Sequence, residues 1–229
     1  MCADESDDAA AGIPLEAHVA ELRSRCEAVA RVQGGSTHYL EELRIFRQYA
    51  AERGLFLAHP PEALSRPPDD EGNEHEVWFL PESASFLKVT WPDFFGLLVV
   101  HRPDEEERAS PIAYLERWQW HNELFGDGVC FLGVLEQEGK SRMVIRQPAI
   151  AGVPATVGQI EEFFTRNGWR RFMVNGDVAF LDPVRRVAIS DTHRGNLILM
   201  DDGLLAPIDL RVQPLSGALL DAVVRMCEV

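Results

Sequence analysis

The sequence predicts an α+β protein built on antiparallel sheets and arranged in two lobes. Three observations carry that class. Apolar residues recur at helical spacing in some segments and alternate in others. These segments follow one another as helices, a hairpin, a helix, a hairpin, a helix and a last group of hairpins, which is the order of an α+β chain. Short turn signals join the strand-like runs, so neighbouring strands pair antiparallel.

Taken in order, residues 1–12 are expected to be disordered. "IPLEAHVAELRSRCEAVARVQ" carries Leu15, Val19, Leu22, Cys26 and Val29 at helical spacing. "GGS" ends that helix and opens a second, "STHYLEELRIFRQYAAERG", with Ser36 as N-cap and Gly54 as its stop. The Pro- and acid-rich run 59–74 reads as a connector. Glu76–Leu80 and Ser85–Thr90 then form a hairpin around "PESA". "HRPDEEERAS" is an acidic surface loop. "SPIAYLERWQWHNELFGDG" is a helix capped by Ser110, with Pro111 at its first position and Gly126 or Gly128 past its end. "VCFLGVLEQEGKSRMVIRQPAI" turns at "QEGK" as a second hairpin, and "TVGQIEEFFTRNGWRRF" is an amphipathic helix capped by Thr156 and stopped by Gly168. Strands and turns continue to Val212, and a short helix follows.

Composition excludes several classes. With 229 residues the chain can bury a sizeable core. Its formal net charge of −15 repels nucleic acid and anionic lipid, so neither a nucleic-acid nor a membrane partner is expected. Basic residues cluster locally in "RNGWRR", Arg185, Arg186, Arg194 and Arg211, as a functional patch or simply as solvated surface. The four cysteines form no close pair, which argues against a disulfide scaffold and for a reducing compartment. "MCADESDDAAAG" lacks the layout of a secretion signal, and the longest apolar run, "FFGLLVV", is too short to span a bilayer. A cytoplasmic location is expected. There is no H-E-x-x-H, no G-x-S-x-G and no G-x-x-x-x-G-K-[ST], so zinc catalysis has little support and neither a nucleophile elbow nor a P-loop is present.

The informative stretch is "ISDTHRGNLILMDDGLLAPIDL", residues 189–210. Asp202-Gly203 is a two-residue hairpin signal. With that pair as the turn centre, facing residue numbers sum to 405, so Asn196 faces Asp209 on a non-hydrogen-bonded rung. Pro207, opposite Ile198 in this register, falls on such a rung too, where its missing N–H costs nothing. One amide and one carboxylate oxygen then converge, which suits a hard cation such as Mg²⁺. Asp191, five residues before Asn196 across a tight polar turn, adds a carboxylate able to orient or deprotonate a hydroxyl.

D-x-x-x-x-N followed, after a hairpin, by an aspartate resembles the catalytic loop and metal-binding aspartate of the protein-kinase fold. The segment is similar to the H-G-D-x-x-x-x-N…I-D of small-molecule phosphotransferases such as aminoglycoside and choline kinases. The run from "GNEHEVWF" through "FLKVT", "YLERWQWHNELFGD", "RQPAIAG" and "PIDL" resembles, over about residues 70–212, the kinase-like domains of bacterial and phage polyvalent proteins. The resemblance implies ATP and Mg²⁺ as cofactors. It implies Asp191 as catalytic base, Asn196 and Asp209 as metal ligands, and Lys88 on the α- and β-phosphates. Glu116, or its rival Glu123, would pair with that lysine. Backbone groups of Gln147 to Ala149 would meet adenine at a hinge, and Gly72 to His75 would stand where a glycine-rich phosphate loop belongs.

The domain organisation that follows is a tail to residue 12, a helical extension over 13–58, a small antiparallel lobe over 70–146 and a reduced C-terminal lobe over 147–229. The chain departs from the kinase pattern in three places. The phosphate loop has one glycine, Ile189-Ser190 replaces the histidine before the base, and Leu210-Arg211 follows the metal aspartate where Phe-Gly is usual. No activation segment and no large helical subdomain are expected. The function expected is phosphoryl transfer from ATP–Mg²⁺ to an unidentified acceptor, protein or small molecule. The alternatives are a catalytically silent pseudokinase or interaction module, and nucleotidyl transfer on the same scaffold.

Overall fold

A computed structural model describes residues 13–33, 38–103 and 107–227. The expected disordered segment 1–12, the Ser36 cap and the centre of the acidic loop at 104–106 lie outside the described residues. The chain divides into two compact units. The first holds the described residues up to Gly96 together with Arg108–Asn122 and Gly128–Ala149, and the second holds the rest, chiefly from Ile150 onward.

In the first unit, helices α1 (Leu15–Gln33) and α2 (Tyr39–Glu52) precede a five-stranded antiparallel sheet. Its strands are β1 (Asp70–Glu71), β2 (His75–Leu80), β3 (Ser85–Thr90), β4 (Cys130–Gln137) and β5 (Lys140–Pro148), in the order β1-β2-β3-β5-β4. Helix α3 (Pro111–Phe125) begins at Pro111, and the Ala113 N–H donates to Ser110 Oγ, as a helix with that cap should. The β4–β5 hairpin closes with Glu138 and Gly139 both at positive φ (52° and 76°), the type I′ geometry "EG" supports.

One face of this sheet and the three helices share a core. Leu15, Val19 and Leu22 of α1 and Phe46 and Tyr49 of α2 pack with Trp118, Phe131 and Ile145. The two leading helices are therefore part of the sheet's own core rather than an appendage. Arg47 of α2 fixes the packing with a bidentate pair to Asp93 (2.8 and 2.9 Å), whose carboxylate also accepts the Ser141 N–H at 2.8 Å. Gly133, at φ 147°, sits at an irregularity in β4, where a Cβ would lie 2.7 Å from the Leu55 carbonyl oxygen. That bare backbone lets residues 55–57 lie along β4 and exchange main-chain bonds with Val134.

In the second unit, α4 (Val157–Arg166) opens on a complete capping box between Thr156 and Gln159. Four strands, β7 (Arg170–Val174), β8 (Asp177–Asp182), β9 (Val187–Ser190) and β12 (Arg211–Pro214), form a sheet in the order β12-β9-β8-β7. A second sheet joins β6 (Val153–Pro154), β10 (Leu197–Leu199) and β11 (Leu205–Pro207) in the order β11-β10-β6. Helix α5 (Gly217–Met226) packs Val223 against Phe172, Ala179 and Leu181. The mixed helical and antiparallel architecture is that of an α+β protein. Among the described residues, no helix is long and apolar enough to cross a membrane.

Candidate active site

In the second unit, β9 ends at Ser190, and Asp191 follows at once with φ 64°. A left-handed backbone is tolerated by aspartate and redirects the chain sharply off the strand. Ser190 pairs with Arg211 across β9 and β12, so the strand ends that carry Asp191 and Asp209 are tied side by side. Asn196 immediately precedes β10, and its N–H bonds the His193 carbonyl at 3.0 Å.

The β10–β11 hairpin does not adopt the predicted register. Its facing pairs are Leu197–Pro207, Ile198–Ala206 and Leu199–Leu205, which sum to 404. Only Gly203 of the expected turn pair takes positive φ (84°), whereas a type I′ turn needs both. Asp201, Asp202 and Gly203 all enter the loop, with Gly203 N–H on Met200 O and Met200 N–H on Leu204 O, both at 2.9 Å. Asn196 therefore lies opposite Ile208, whose N–H it accepts, and not opposite Asp209. Pro207 falls on an open rung in either register, which is why the proline could not tell them apart.

Asn196 nevertheless meets both aspartates by another route. Its Nδ2 donates to the main-chain carbonyl of Asp191 at 3.0 Å and to that of Asp209 at 3.2 Å. The residue is only 9 % exposed, so these bonds are shielded from water. Two carbonyl partners fix which end of the amide is nitrogen, and among the described residues Oδ1 takes no hydrogen bond. An amide oxygen with its nitrogen end locked is the donor a hard oxygen-seeking cation takes, and the same amide binds the main chain of the half-buried Asp209. Among the described residues no cluster of three or more His, Cys, Asp or Glu side chains could hold a metal by itself. The donor set thus fits Mg²⁺ that keeps water or phosphate oxygens, and not a protein-caged ion.

His193 is a site residue the sequence reading did not single out. Its Nδ1 accepts the Gly195 N–H at 3.0 Å and its Nε2 lies 3.4 Å from Asp191 Oδ1. The only sequence signal was its place between Asp191 and Asn196, which the tight-turn reading absorbed.

In the first unit, Lys88 lies on central strand β3 and is 6 % exposed, not at a solvent edge. It pairs with Val77 and Ile145, and its Nζ stands 5.0 Å from the centre of the Trp118 ring on α3. The expected Glu116–Lys88 pair is replaced. Glu116 binds Arg23 of α1, and Arg23 and Glu42 are the charged groups acting on its carboxyl, whose pKa burial raises. Helical geometry gives the reason: Trp118 faces Lys88, and a residue two positions earlier points some 200° around the helix. Glu123 is exposed. A buried carboxylate of this unit is Glu74, beside His75, paired with Arg117, itself 4 % exposed.

The expected hinge and phosphate-loop groups are partly committed. Ala149 N–H donates to Ala84 O at 2.8 Å, and Gln147 is the ladder partner of Phe86, so neither N–H is turned outward. The Gln147 side chain is the exception. It shares the Lys88 face of the sheet, is 2 % exposed, and its Nε2 has no partner among the described residues. Gly72 N–H is bound to His75 O, and Gly72 O accepts from Trp91 Nε1. A tight β1–β2 hairpin stands where the phosphate loop was expected. A 1270 Å³ groove in this unit, lined by Leu55, Leu87, Leu132 and Arg146 among others, opens on the sheet face opposite Lys88.

The aspartate in a left-handed turn after β9, the asparagine five residues on and the aspartate past the hairpin all lie in the stretch that a kinase family model covers, so the scaffold is kinase-like. The chain belongs to the serine/threonine/tyrosine kinase family found in polyvalent proteins, whose model matches residues 40–213. No curated protein and no solved structure matches it.

Proposed function

We propose that this chain binds ATP–Mg²⁺ and transfers the γ-phosphoryl group to a hydroxyl-bearing acceptor. The observation that carries the reading is the Asn196 amide, which locks the Asp191 and Asp209 loops together and leaves one oxygen for a cation. Asn196 and Asp209 would hold Mg²⁺, which, when bound, neutralises phosphate charge and orients the chain of phosphates. Lys88 would hold the α- and β-phosphates. Its desolvated setting strengthens the attraction of an ammonium for phosphate oxygens. Gln147 would offer its buried carboxamide to the base, since an unpartnered buried polar group gains most from a ligand partner. Asp191 would accept the hydroxyl proton as the acceptor oxygen bonds to the γ-phosphorus and the bond to the bridging oxygen breaks, releasing ADP.

A second reading, a nucleotide-binding pseudokinase, is favoured by one observation: the Gly72 N–H that a phosphate cradle would use is bound to His75 O. Thermal unfolding with ATP and Mg²⁺, followed by mass identification of products, separates the readings. Wild type is expected to gain several degrees of Tm, and ADP plus a phosphorylated product should form. Asp209→Asn should lose the Mg²⁺-dependent part of the shift. Asp191→Asn should keep the shift and lose turnover. No shift with wild type would overturn nucleotide binding, a shift without turnover would establish the pseudokinase, and an adenylylated product would establish nucleotidyl transfer.

A further inference from the structure

We infer that His193 is a positioning residue that fixes the carboxylate of Asp191 through its Nε2–H. The inference rests on the reading of Asp191 as the base and adds a group to it. Three observations meet at this ring.

The first is the tautomer. Gly195 N–H points at Nδ1 from 3.0 Å, and only a lone pair can accept it, so a neutral ring carries its proton on Nε2. The second is proximity. Nε2 lies 3.4 Å from Asp191 Oδ1, short of a formed hydrogen bond and within the distance that closes when a substrate tightens a site. The third is the space the ring occupies. A Cβ on residue 195 would lie 2.9 Å from His193 Cε1 and 3.1 Å from Nδ1, so the ring stays seated only because residue 195 is glycine.

The result is a clamp made entirely within "DTHRGN". The glycine N–H orients the imidazole, and the imidazole holds one carboxylate oxygen. The second oxygen is then free for the acceptor's proton. In this chain Ile189-Ser190 fills the two positions before Asp191, and both residues are buried in β9 and offer no ring there. A histidine two residues after the base supplies the restraint from the other side. Because Asp191 has a left-handed backbone and is one-third exposed at its side chain, its carboxylate has room to rotate without such a restraint.

The test compares His193→Ala, His193→Asn and His193→Gln for ADP formation from ATP–Mg²⁺, alongside ¹⁵N spectra of the wild-type imidazole. Glutamine places its amide nitrogen near the position of Nε2, and asparagine places its own near Nδ1. Alanine and asparagine variants are expected to lose roughly ten- to a hundredfold in kcat with KM for ATP unchanged, and glutamine to recover most of it. Gly195→Ala should lose as much as His193→Ala, and the double variant no more. Equal activity in all three His193 variants, or equal loss including glutamine, overturns the inference. If wild type itself turns over no ATP, the phosphotransfer reading fails on its own account. The ¹⁵N spectrum then decides the clamp: a neutral ring protonated on Nε2 upholds it, and one protonated on Nδ1 refutes it.

Discussion

At the scale of single residues, the site depends on which end of an amide faces which oxygen. Asn196 is usefully regarded as two groups: a nitrogen that ties two carbonyls and an oxygen left over. Asn196→Asp keeps the oxygen, adds a charge a cation would welcome and removes both donors. The new carboxylate would then confront two carbonyl oxygens in a shielded place. We expect Asn196→Asp to lose about 2–3 kcal/mol of stability by urea unfolding, and more than Asn196→Ala. The reverse order would mean that the tie contributes little and that Asn196 matters only as a ligand. Lys88 illustrates the same dependence on direction. Its place on an apolar strand was visible in "FLKVT", but the group it faces is Trp118, and no one-dimensional pattern ranks Trp118 above Glu116.

At the scale of elements, α1 is pinned by a polar contact inside apolar packing. His18 Nδ1 lies 2.6 Å from the Tyr49 hydroxyl of α2, and the ring is fully buried against Phe131. Burial holds the His18 pKa below its ordinary value, with Glu21 opposing and Arg53 adding to the effect. The folded state thus binds a proton there less readily than the unfolded chain. The stability this contributes is complete above the unfolded histidine pKa of about 6.5 and is lost as pH falls through the folded value. Acidification from neutral pH should therefore lower the unfolding free energy of wild type more steeply than that of His18→Gln, measured by denaturant melts across that window. Parallel slopes would remove His18 from the acid response.

The hairpins divide by turn chemistry. "EG" at 138–139 and "NG" at 175–176 both form with two positive φ values, so their strands are in the register the turn dictates. "DG" at 202–203 does not, because Asp202 uses its carboxylate to accept the Leu204 N–H at 2.9 Å and draws a third residue into the loop. A one-residue slip followed, and with it the expected Asn196–Asp209 rung was lost.

For the whole molecule, charge sets the background against which ligand binding is read. At a formal charge of −15 the folded chain repels itself, and three of the seven arginines of the local basic cluster are in ion pairs: Arg166 with Glu162, Arg171 with Glu161 and Arg185 with Asp182. Raising ionic strength from low to about physiological, where the Debye length is about 8 Å, should raise Tm with any salt. The ATP–Mg²⁺ shift must therefore exceed that of an equal ionic strength of sodium chloride. A Tm that falls with added salt would show that attractive pairs, and not self-repulsion, dominate.

The sequence by itself determined what depends on neighbours along the chain. Periodicity and capping residues placed α3 from Pro111 and α4 behind Thr156, and Ser85–Thr90 was placed to the residue. The D-x-x-x-x-N…D spacing pointed to the family that the match over 40–213 bears out. Tertiary structure alone decided what depends on direction. It turned Glu116 toward Arg23, closed the Gly72 N–H on His75, joined α1 and α2 to the sheet's core and seated His193 beside Asp191. The reason is physical: secondary structure and spacing are set by local sterics and hydrogen bonding. Which side chain meets which is set by packing between segments far apart in sequence, where a rotation of a helix or a slip of one rung changes every partner.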